Sequence, residues 1–411
     1  MRVAYVVSRF PQISETFIVR ELDEVAAAGV AIELFSLFGV PDGAVAHPRA
    51  APWVARLHRG RPVRGLAALG WWGLRRPLRL GGSLAAIAWG HRRSPRHLLR
   101  ALATAVLAAD HARTMQRLGV ARVHAHYATY PALTAWLVRR LTGLPYGFTA
   151  HAHDLYVDRS FLRRKVEDAD LVVTISRFNQ RLLRQVAPAA RRIEVVHMGV
   201  DPTAYAFRPR TLPATGPVRL LCVASLQEYK GHAVLLAALD GRPELARIEL
   251  DLVGDGPLRA TLEADAAARG LAARVRFHGG QPEQRVRELL EAADGFVLPS
   301  VVARDGQMEG LPVALMEALA VGLPTVTTRL SGIPELVVDG ETGLLAEPAD
   351  PRALGDALAR LLADPAAART RAAAGRRHVE AAFDLRTVGA TMAALVVDPD
   401  APLAQPEGVA S

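Results

Sequence analysis

The second half of the chain alternates short apolar runs with stretches of helical period, and few folds accept that order. The runs 218–225, 248–254, 275–279, 295–300 and 324–328 read as strands, bounded by Gly, Pro and Ser. Between them, 232–240, 257–270, 284–294 and 312–322 carry apolar residues at helical spacing. Strands separated by helices imply a parallel α/β sheet with helices on both faces. Such a sheet binds ligands at the carboxyl ends of its strands, where the loops to the helices lie. The first half repeats the pattern more faintly, with strands at 2–8, 30–37, 121–128, 145–152, 171–177 and 193–199 and a helix over 15–29 closed by Gly29.

A length of 411 residues suits two domains. The Pro- and Thr-rich segment 206–217 is the expected linker between a domain at 1–205 and a second at 218–380. Two doubly wound domains joined there are expected to leave a cleft between them. A last helix at about 381–397 is expected to cross back to the first domain, and the tail 398–411 to be disordered. The single cysteine, Cys222, makes no internal disulfide, so a reducing, cytoplasmic compartment is expected. The opening MRVAYVVSRF lacks the length and cleavage site of a signal peptide and reads as a first strand. No uncharged apolar stretch reaches the ~18 residues of a membrane span.

The net charge of +9 is unevenly placed: residues 51–120 hold thirteen Arg and one acid, Asp110. Trp53, Trp71, Trp72 and Trp89 lie among these arginines. Basic, amphipathic, aromatic segments favour anionic membrane surfaces, and a peripheral contact with the inner face of the plasma membrane is the expectation for 51–120. A nucleic-acid partner is not expected, because no recognition motif accompanies the charge. A solvated helical insert is the plain alternative. The only lysines are Lys165 and Lys230.

The segment from Asp305 to Leu345 carries the densest chemistry. Glu309 and Glu317 stand eight residues apart around Gly310, Leu311 and Pro312. On a helix that separation is about 12 Å, enough to hold hydroxyls at two places. The N–H groups freed at a helix start between them attract a diphosphate. Read alone, Glu309 complements the helix dipole and Glu317 is a solvated face residue. Lys230 follows a strand and precedes a helix, where a cation reaches a diphosphate. Gly254 and Gly256 form a tight turn after a strand, without the spacing of a dinucleotide fingerprint. His151 ends a strand and can donate to a sugar hydroxyl. His124 and His126 alternate on one strand and so share a face, which permits a metal with His153 and Asp154, or two structural histidines. Ser14, Glu15 and Thr16 follow the first strand and cap a helix.

The pattern E-G-L-P-x4-E-A-x3-G-x-P-x9-P-E, continued by V-x-D-G-E-T-G-L-L at 337–345, resembles the donor site of retaining glycosyltransferases of family 4, which have the GT-B fold. FPQISETFI at 10–18 and FTAHAHDLY at 148–156 resemble an exopolysaccharide-building subgroup. The resemblance implies two Rossmann-like domains and a nucleotide-diphosphate sugar as donor. The expected acceptor is a saccharide or lipid-linked molecule, and neither a metal nor a cofactor is expected. It implies that His151 lines the transferred sugar, and that Lys230 and the helix start at Leu311 neutralise the leaving diphosphate. Glu309 then grips the sugar, Glu317 the ribose, Gly254 and Gly256 border the nucleotide, and the loop with Ser14, Glu15 and Thr16 faces the acceptor. Ser225 stands where the family usually has arginine. Alternatives are a nucleotide-sugar epimerase on the same fold and an inactive nucleotide-sugar or membrane-surface binding module. A pyridoxal phosphorylase has little room in a chain with two lysines.

Overall fold

The computed structural model describes residues 1–11, 16–39, 48–156, 159–208 and 210–403. Thirteen strands lie among them: β1 Arg2–Arg9, β2 Ala31–Phe38, β3 Leu57–Arg59, β4 Arg122–His126, β5 Tyr146–Ala150, β6 Leu171–Thr174, β7 Ile193–Val195, β8 Val218–Val223, β9 Ile248–Val253, β10 Val275–Gly279, β11 Gly295–Leu298, β12 Thr325–Thr328 and β13 Leu344–Ala346. They form one sheet in the order β3-β2-β1-β4-β5-β6-β7 and another in the order β10-β9-β8-β11-β12-β13. The pairings are parallel. Strands covered by helices on both faces read as continuous apolar runs; in β1, Val3 to Val7 are all buried. The order reverses between β1 and β4 and between β8 and β11. At such switch points the outgoing loops turn to opposite faces and open a crevice at the carboxyl ends. This is the two-domain, Rossmann-like GT-B architecture expected from the sequence.

Two units result, Met1–Val196 with the described residues from Arg386 on, and His197–Leu385. The helix Leu385–Val397 buries Met392, Leu395 and Val396 in the same apolar cluster as Val3, Tyr5 and Leu22. It starts four residues later than the sequence implies. A separate helix, Pro365–Ala382, ends at Phe383, and Asp384 bridges to Val200.

The division falls at Val196/His197, ahead of the expected boundary at 205, and the expected linker 206–217 belongs to the second unit. The physical reason is packing. The Arg376 guanidinium donates to the carbonyls of Pro202, Tyr205 and Ala320 at 2.9, 3.2 and 2.6 Å. Tyr205 Oη donates to Glu317 at 2.8 Å. Of the tail expected to be disordered, 398–403 is held in place, with Arg191 paired to Asp400 at 2.9 Å and Arg192 donating to the Ala401 carbonyl at 2.7 Å; the rest lies outside the described residues.

Within 51–120, three helices, Pro62–Arg75, Pro77–Gly90 and Pro95–Arg117, pack on one another. Each has proline at its start, where a missing N–H costs nothing. The tryptophans divide. Trp53 and Trp72 are core residues, bonded to Asp23 at 2.8 Å and to the Ala109 carbonyl at 3.2 Å. Trp71 is stacked by Arg75 and Arg113, and Trp89 is exposed. No helix among the described residues is long and apolar enough to cross a membrane.

Candidate functional site

In the second unit the loops leaving β8 and β11 meet at the switch point. The first makes a single 3-10 turn over Glu228–Lys230 and enters the helix His232–Leu239 through Gly231. Gly231 has φ 74°, and a Cβ there would collide with the Pro299 carbonyl oxygen. Only glycine satisfies both demands. Val301 N–H donates to the Tyr229 carbonyl at 2.9 Å, so the two loops are joined on either side of Lys230.

Lys230 Nζ donates to the Glu309 carboxylate, and both side chains are mostly buried. Burial works against the ammonium charge, but Glu309 and Tyr229 outweigh it and hold the Lys230 pKa above its ordinary value. The pair expected to serve a diphosphate and a sugar is thus assembled as an ion pair. Glu309 is not on a helix: the helix Val313–Val321 begins after Pro312, four residues on, with no side chain capping it. The two-turn separation from Glu317 that a helix implies therefore does not apply. Glu317 lies in that helix and accepts from Tyr205. Ser331, at φ 47°, fastens the Glu309 loop by donating to the Glu309 carbonyl and to that of Gly310 at 3.0 Å. Gly310, Leu311 and Pro312 are buried beside it.

The turn after β9 packs on the turn after β8. Gly254 (φ 142°) lies against the Ala224 carbonyl and Gly256 against that of Leu226, closer than any side chain permits. Ser225, Gly254 and Gly256 are therefore neighbours. Two further groups escaped the sequence reading. His232 and Ser300 are buried, and His232 Nδ1, His232 Nε2 and Ser300 Oγ have no hydrogen-bond partner among the described residues. Burial, then Lys230, pushes the His232 pKa down to about 4. An unmatched buried polar group costs about 1–3 kcal/mol, which a polar ligand would relieve. His232 carried a signal, a polar residue on a helix start behind glycine; Ser300 carried none.

In the first unit, His151 follows β5 directly and is buried. Its N–H donates to Asp154 at 2.9 and 3.2 Å, and Asp154 also accepts from Ala128 N–H. Burial raises the Asp154 pKa against these bonds. Asp154 thus clamps the loops after β4 and β5 rather than joining a histidine cluster. The carboxylate that does join it is Glu21, from the helix Thr16–Ala27. Glu21 Oε1 lies 3.2 Å from His126 Nε2, and Tyr5 Oη donates to it at 3.4 Å. His126 Nδ1 lies 3.4 Å from His151 Nε2, and His124 Nε2 lies 2.8 Å from Thr149 Oγ1. Burial pushes the His124 and His151 pKa values down to about 3. Glu21, His124 and His126 hold ligand atoms within 4.8 Å of one another, near enough to grasp a metal ion. Tyr127, at φ 76°, packs its ring against that of His151, tilted, with centroids 4.8 Å apart. Non-glycine residues at positive φ concentrate at functional sites.

Ser14 and Glu15 lie outside the described residues. Thr16 opens its helix, but its side chain and that of His153 also lie outside them. Lys165 is buried, its Nζ donating to the carbonyls of Ser160 at 3.3 Å and Thr129 at 3.5 Å.

Residues 206–378 match a family described as glycosyl transferases group 1, and residues 14–204 match glycosyltransferase family 4. The amylovoran biosynthesis glycosyltransferase AmsK of Erwinia amylovora is 38% identical over 216 residues, 52% of this chain and 53% of that protein. The chain thus spans about half the length of that relative. A GDP-mannose-dependent alpha-(1-6)-phosphatidylinositol monomannoside mannosyltransferase of Mycolicibacterium smegmatis is 33% identical over 283 residues, 64% of this chain and 73% of that one. Sucrose-phosphate synthase of Thermosynechococcus elongatus shares the fold, with a TM-score of 0.72 at 22% identity over 95% of this chain and 97% of its own. Anabaena HepE in complex with UDP-glucose does so with a TM-score of 0.68 at 17% identity, covering 96% and 98%. With both halves matched and a relative covered over most of its length, the chain belongs to the family 4 glycosyltransferases.

Proposed function

We propose that this chain is a retaining glycosyltransferase that moves a sugar from a nucleotide-diphosphate sugar to a saccharide or lipid-linked acceptor in cell-envelope, exopolysaccharide or glycolipid synthesis. The observation that carries the reading is the Lys230–Glu309 pair at the switch point of the second sheet, with His232 and Ser300 unmatched beside it. Relatives whose names specify GDP-mannose, and a fold neighbour in complex with UDP-glucose, support the donor class without choosing the base.

An arriving diphosphate competes with Glu309 for Lys230, and the freed carboxylate then accepts from sugar hydroxyls. Glu309 is a positioning residue in this reading, and His151 lines the transferred sugar. Glu317 takes the ribose, and the loop with Ser14, Glu15 and Thr16 takes the acceptor. Gly254 and Gly256 border the nucleotide with Ser225, while Leu311 and Pro312 form the helix start facing the phosphates. The acceptor hydroxyl attacks on the face from which the diphosphate leaves. The sugar C1–O bond to phosphate breaks, the new C1–O bond forms, and the hydroxyl proton passes to the departing phosphate. Preorganised cations and N–H groups stabilise that leaving charge. No metal is assigned to this step.

Membrane contact is part of the proposal. Of the large apolar side chains exposed among the described residues, most lie on the three basic helices: Val63, Leu66, Leu74, Leu78, Trp89, Leu99 and Leu102. Leu74 and Leu78 are 88% and 90% exposed. Arginines interleave with them, which fits an anionic lipid surface.

Incubation with UDP- and GDP-sugars, with and without lipid-linked acceptors, tests the reading. Acceptor-dependent nucleotide release with a product of retained anomeric configuration is expected, and flotation with anionic vesicles but not with neutral ones. Absence of any acceptor-dependent product sinks the transferase reading. An inactive binding module is the second reading, favoured by Ser225 where a cation is usual; it predicts nucleotide binding without turnover.

A further inference from the structure

We propose that Arg79 and Arg140 seat the phosphate of an anionic phospholipid, at the border of an exposed apolar stripe on the helix Pro77–Gly90. The lipid's arrival from a bilayer rests on the membrane contact proposed for these helices; the anion site itself stands on the geometry of the first unit.

A cavity of about 480 Å³ is lined by Arg79, Arg139, Arg140, Gly143, Pro145 and Asp170. Arg79 comes from the helix Pro77–Gly90, and Arg139 and Arg140 from the last turn of the helix Tyr130–Thr142. Three guanidinium groups thus line it against one carboxylate. That carboxylate is committed: Asp170 accepts from Arg139, from Arg191 at 3.3 Å and from the Tyr146 N–H at 3.0 Å. Arg79 and Arg140 have no acid partner among the described residues.

Ser83 ties the two arginines together. It is buried, and its Oγ donates to the Arg79 carbonyl at 2.6 Å and accepts from Arg140 Nε at 3.4 Å. A hydroxyl can do both at once. Arg140 is therefore held by its Nε, while its two Nη groups have no partner among the described residues. Planar guanidinium forks match the oxygens of a phosphate, and two of them surround it better than one. Complementing a helix dipole accounts for Arg140 alone. It does not account for Arg79, which comes to the same cavity from another helix.

The stripe selects a lipid over a free ion. Leu78, Gly81, Gly82, Ala85 and Trp89 recur at the spacing of one helix face, and all five are exposed. A Cβ added at Gly81 or Gly82 would meet nothing within 4 Å, so the described chain does not cover the face there. Arg79 follows Leu78 and lies about 100° round the helix from it, on the side of Ser83. The charge therefore stands where the apolar stripe meets the protein body. A bilayer offers the matching order, acyl chains inside and phosphates at the surface.

Binding of the full protein to phosphatidylcholine vesicles with and without phosphatidylglycerol tests this. Dihexanoyl-phosphatidylglycerol below its micelle concentration and inorganic phosphate serve as soluble probes. Arg79→Gln and Arg140→Gln should each weaken binding to phosphatidylglycerol vesicles about tenfold more than Arg75→Gln or Arg113→Gln, the scale of one charge-assisted hydrogen bond. The latter two remove the same charge from guanidiniums stacked on Trp71. Equal losses in all four overturn the proposal, because a diffuse positive field does not tell them apart. Arg79 is exposed and its side chain bonds to nothing in the described chain, so Arg79→Gln decides the matter if Arg140→Gln fails to fold. If the wild type binds no vesicle, the membrane reading fails and the soluble lipid decides the site. Saturable binding that is lost in Arg79→Gln upholds it; no binding, or binding unchanged in that variant, overturns it. Inorganic phosphate binding as tightly as the soluble lipid also overturns the proposal, since the site then takes only an ion.

Discussion

At the switch point of the second sheet the strand ends present a charged pair, Lys230 and Glu309; at that of the first they present buried imidazoles around one carboxylate. The backbone plan is the same, a parallel sheet with one reversal of strand order. The difference lies in what the outgoing loops carry. In the second unit a glycine at positive φ brings a lysine beside a glutamate, and buried polar groups are left unmatched. In the first, alternation along β4 sets His124 and His126 on one face, where His124 meets Thr149 and His126 lies beside Glu21, a carboxylate that Tyr5 also reaches. A site whose cation a ligand can take from its carboxylate, with unmatched polar atoms beside it, suits a phosphate ligand. A buried cluster of imidazoles suits hydroxyls.

The strongest way to break this contrast is Lys230→Ala. It should cut kcat in the release assay by about 10²–10³-fold, the scale of losing one preorganised charge stabiliser. A loss under tenfold would make the pair structural.

The first unit's contrast shows in stability. Asp154→Ala leaves the N–H groups of His151 and Ala128 without their acceptor. A destabilisation of about 2–4 kcal/mol is expected in denaturant unfolding, with nucleotide affinity unchanged.

Acid separates the regions next. Unfolded, each histidine titrates near 6.5; folded, His124 and His151 titrate at about 3, and His111 and His232 at about 4. Burial is the first cause in every case. Between those values the unfolded chain binds more protons, so stability is full above pH 6.5 and falls as pH drops. Each group contributes up to ~1.4 kcal/mol per pH unit. Denaturant midpoints at pH 7 and 5 check this. His151→Gln should flatten the slope.

How much of this was legible in the sequence depended on the kind of signal. Both sheets were, because apolar runs and helices alternate; β3 and β13, at three residues each, were too short to show a period. The helices over 62–117 were announced by Pro62, Pro77 and Pro95, but the density of arginine and alanine obscured their apolar faces. Lys230 stood out because it follows a strand, and Glu309 because it precedes the Gly310-Leu311-Pro312 turn before a helix. That they pair depends on β8 lying beside β11, which strand spacing alone does not reveal. Glu21 reads as an ordinary helix-face acid, since the histidine beside it, His126, is about a hundred residues away. The attachment of Pro202 and Tyr205 to the second unit was hidden because their anchors, Arg376 and Glu317, come from distant helices.

The smallest expected effect sharpens the contrast at one residue. Ser225→Arg supplies the cation usual at that position. It should tighten nucleoside diphosphate binding by up to about tenfold, or ~1.4 kcal/mol, without moving the pH slope.

The most direct test of the central claim is titration calorimetry of UDP, GDP and the matching monophosphates against the wild type and Lys230→Ala. The account predicts that one diphosphate binds more tightly than its monophosphate and that Lys230→Ala removes the preference. If neither diphosphate binds, or if binding is unchanged in Lys230→Ala, the second sheet's switch point does not seat a diphosphate and the account is contradicted.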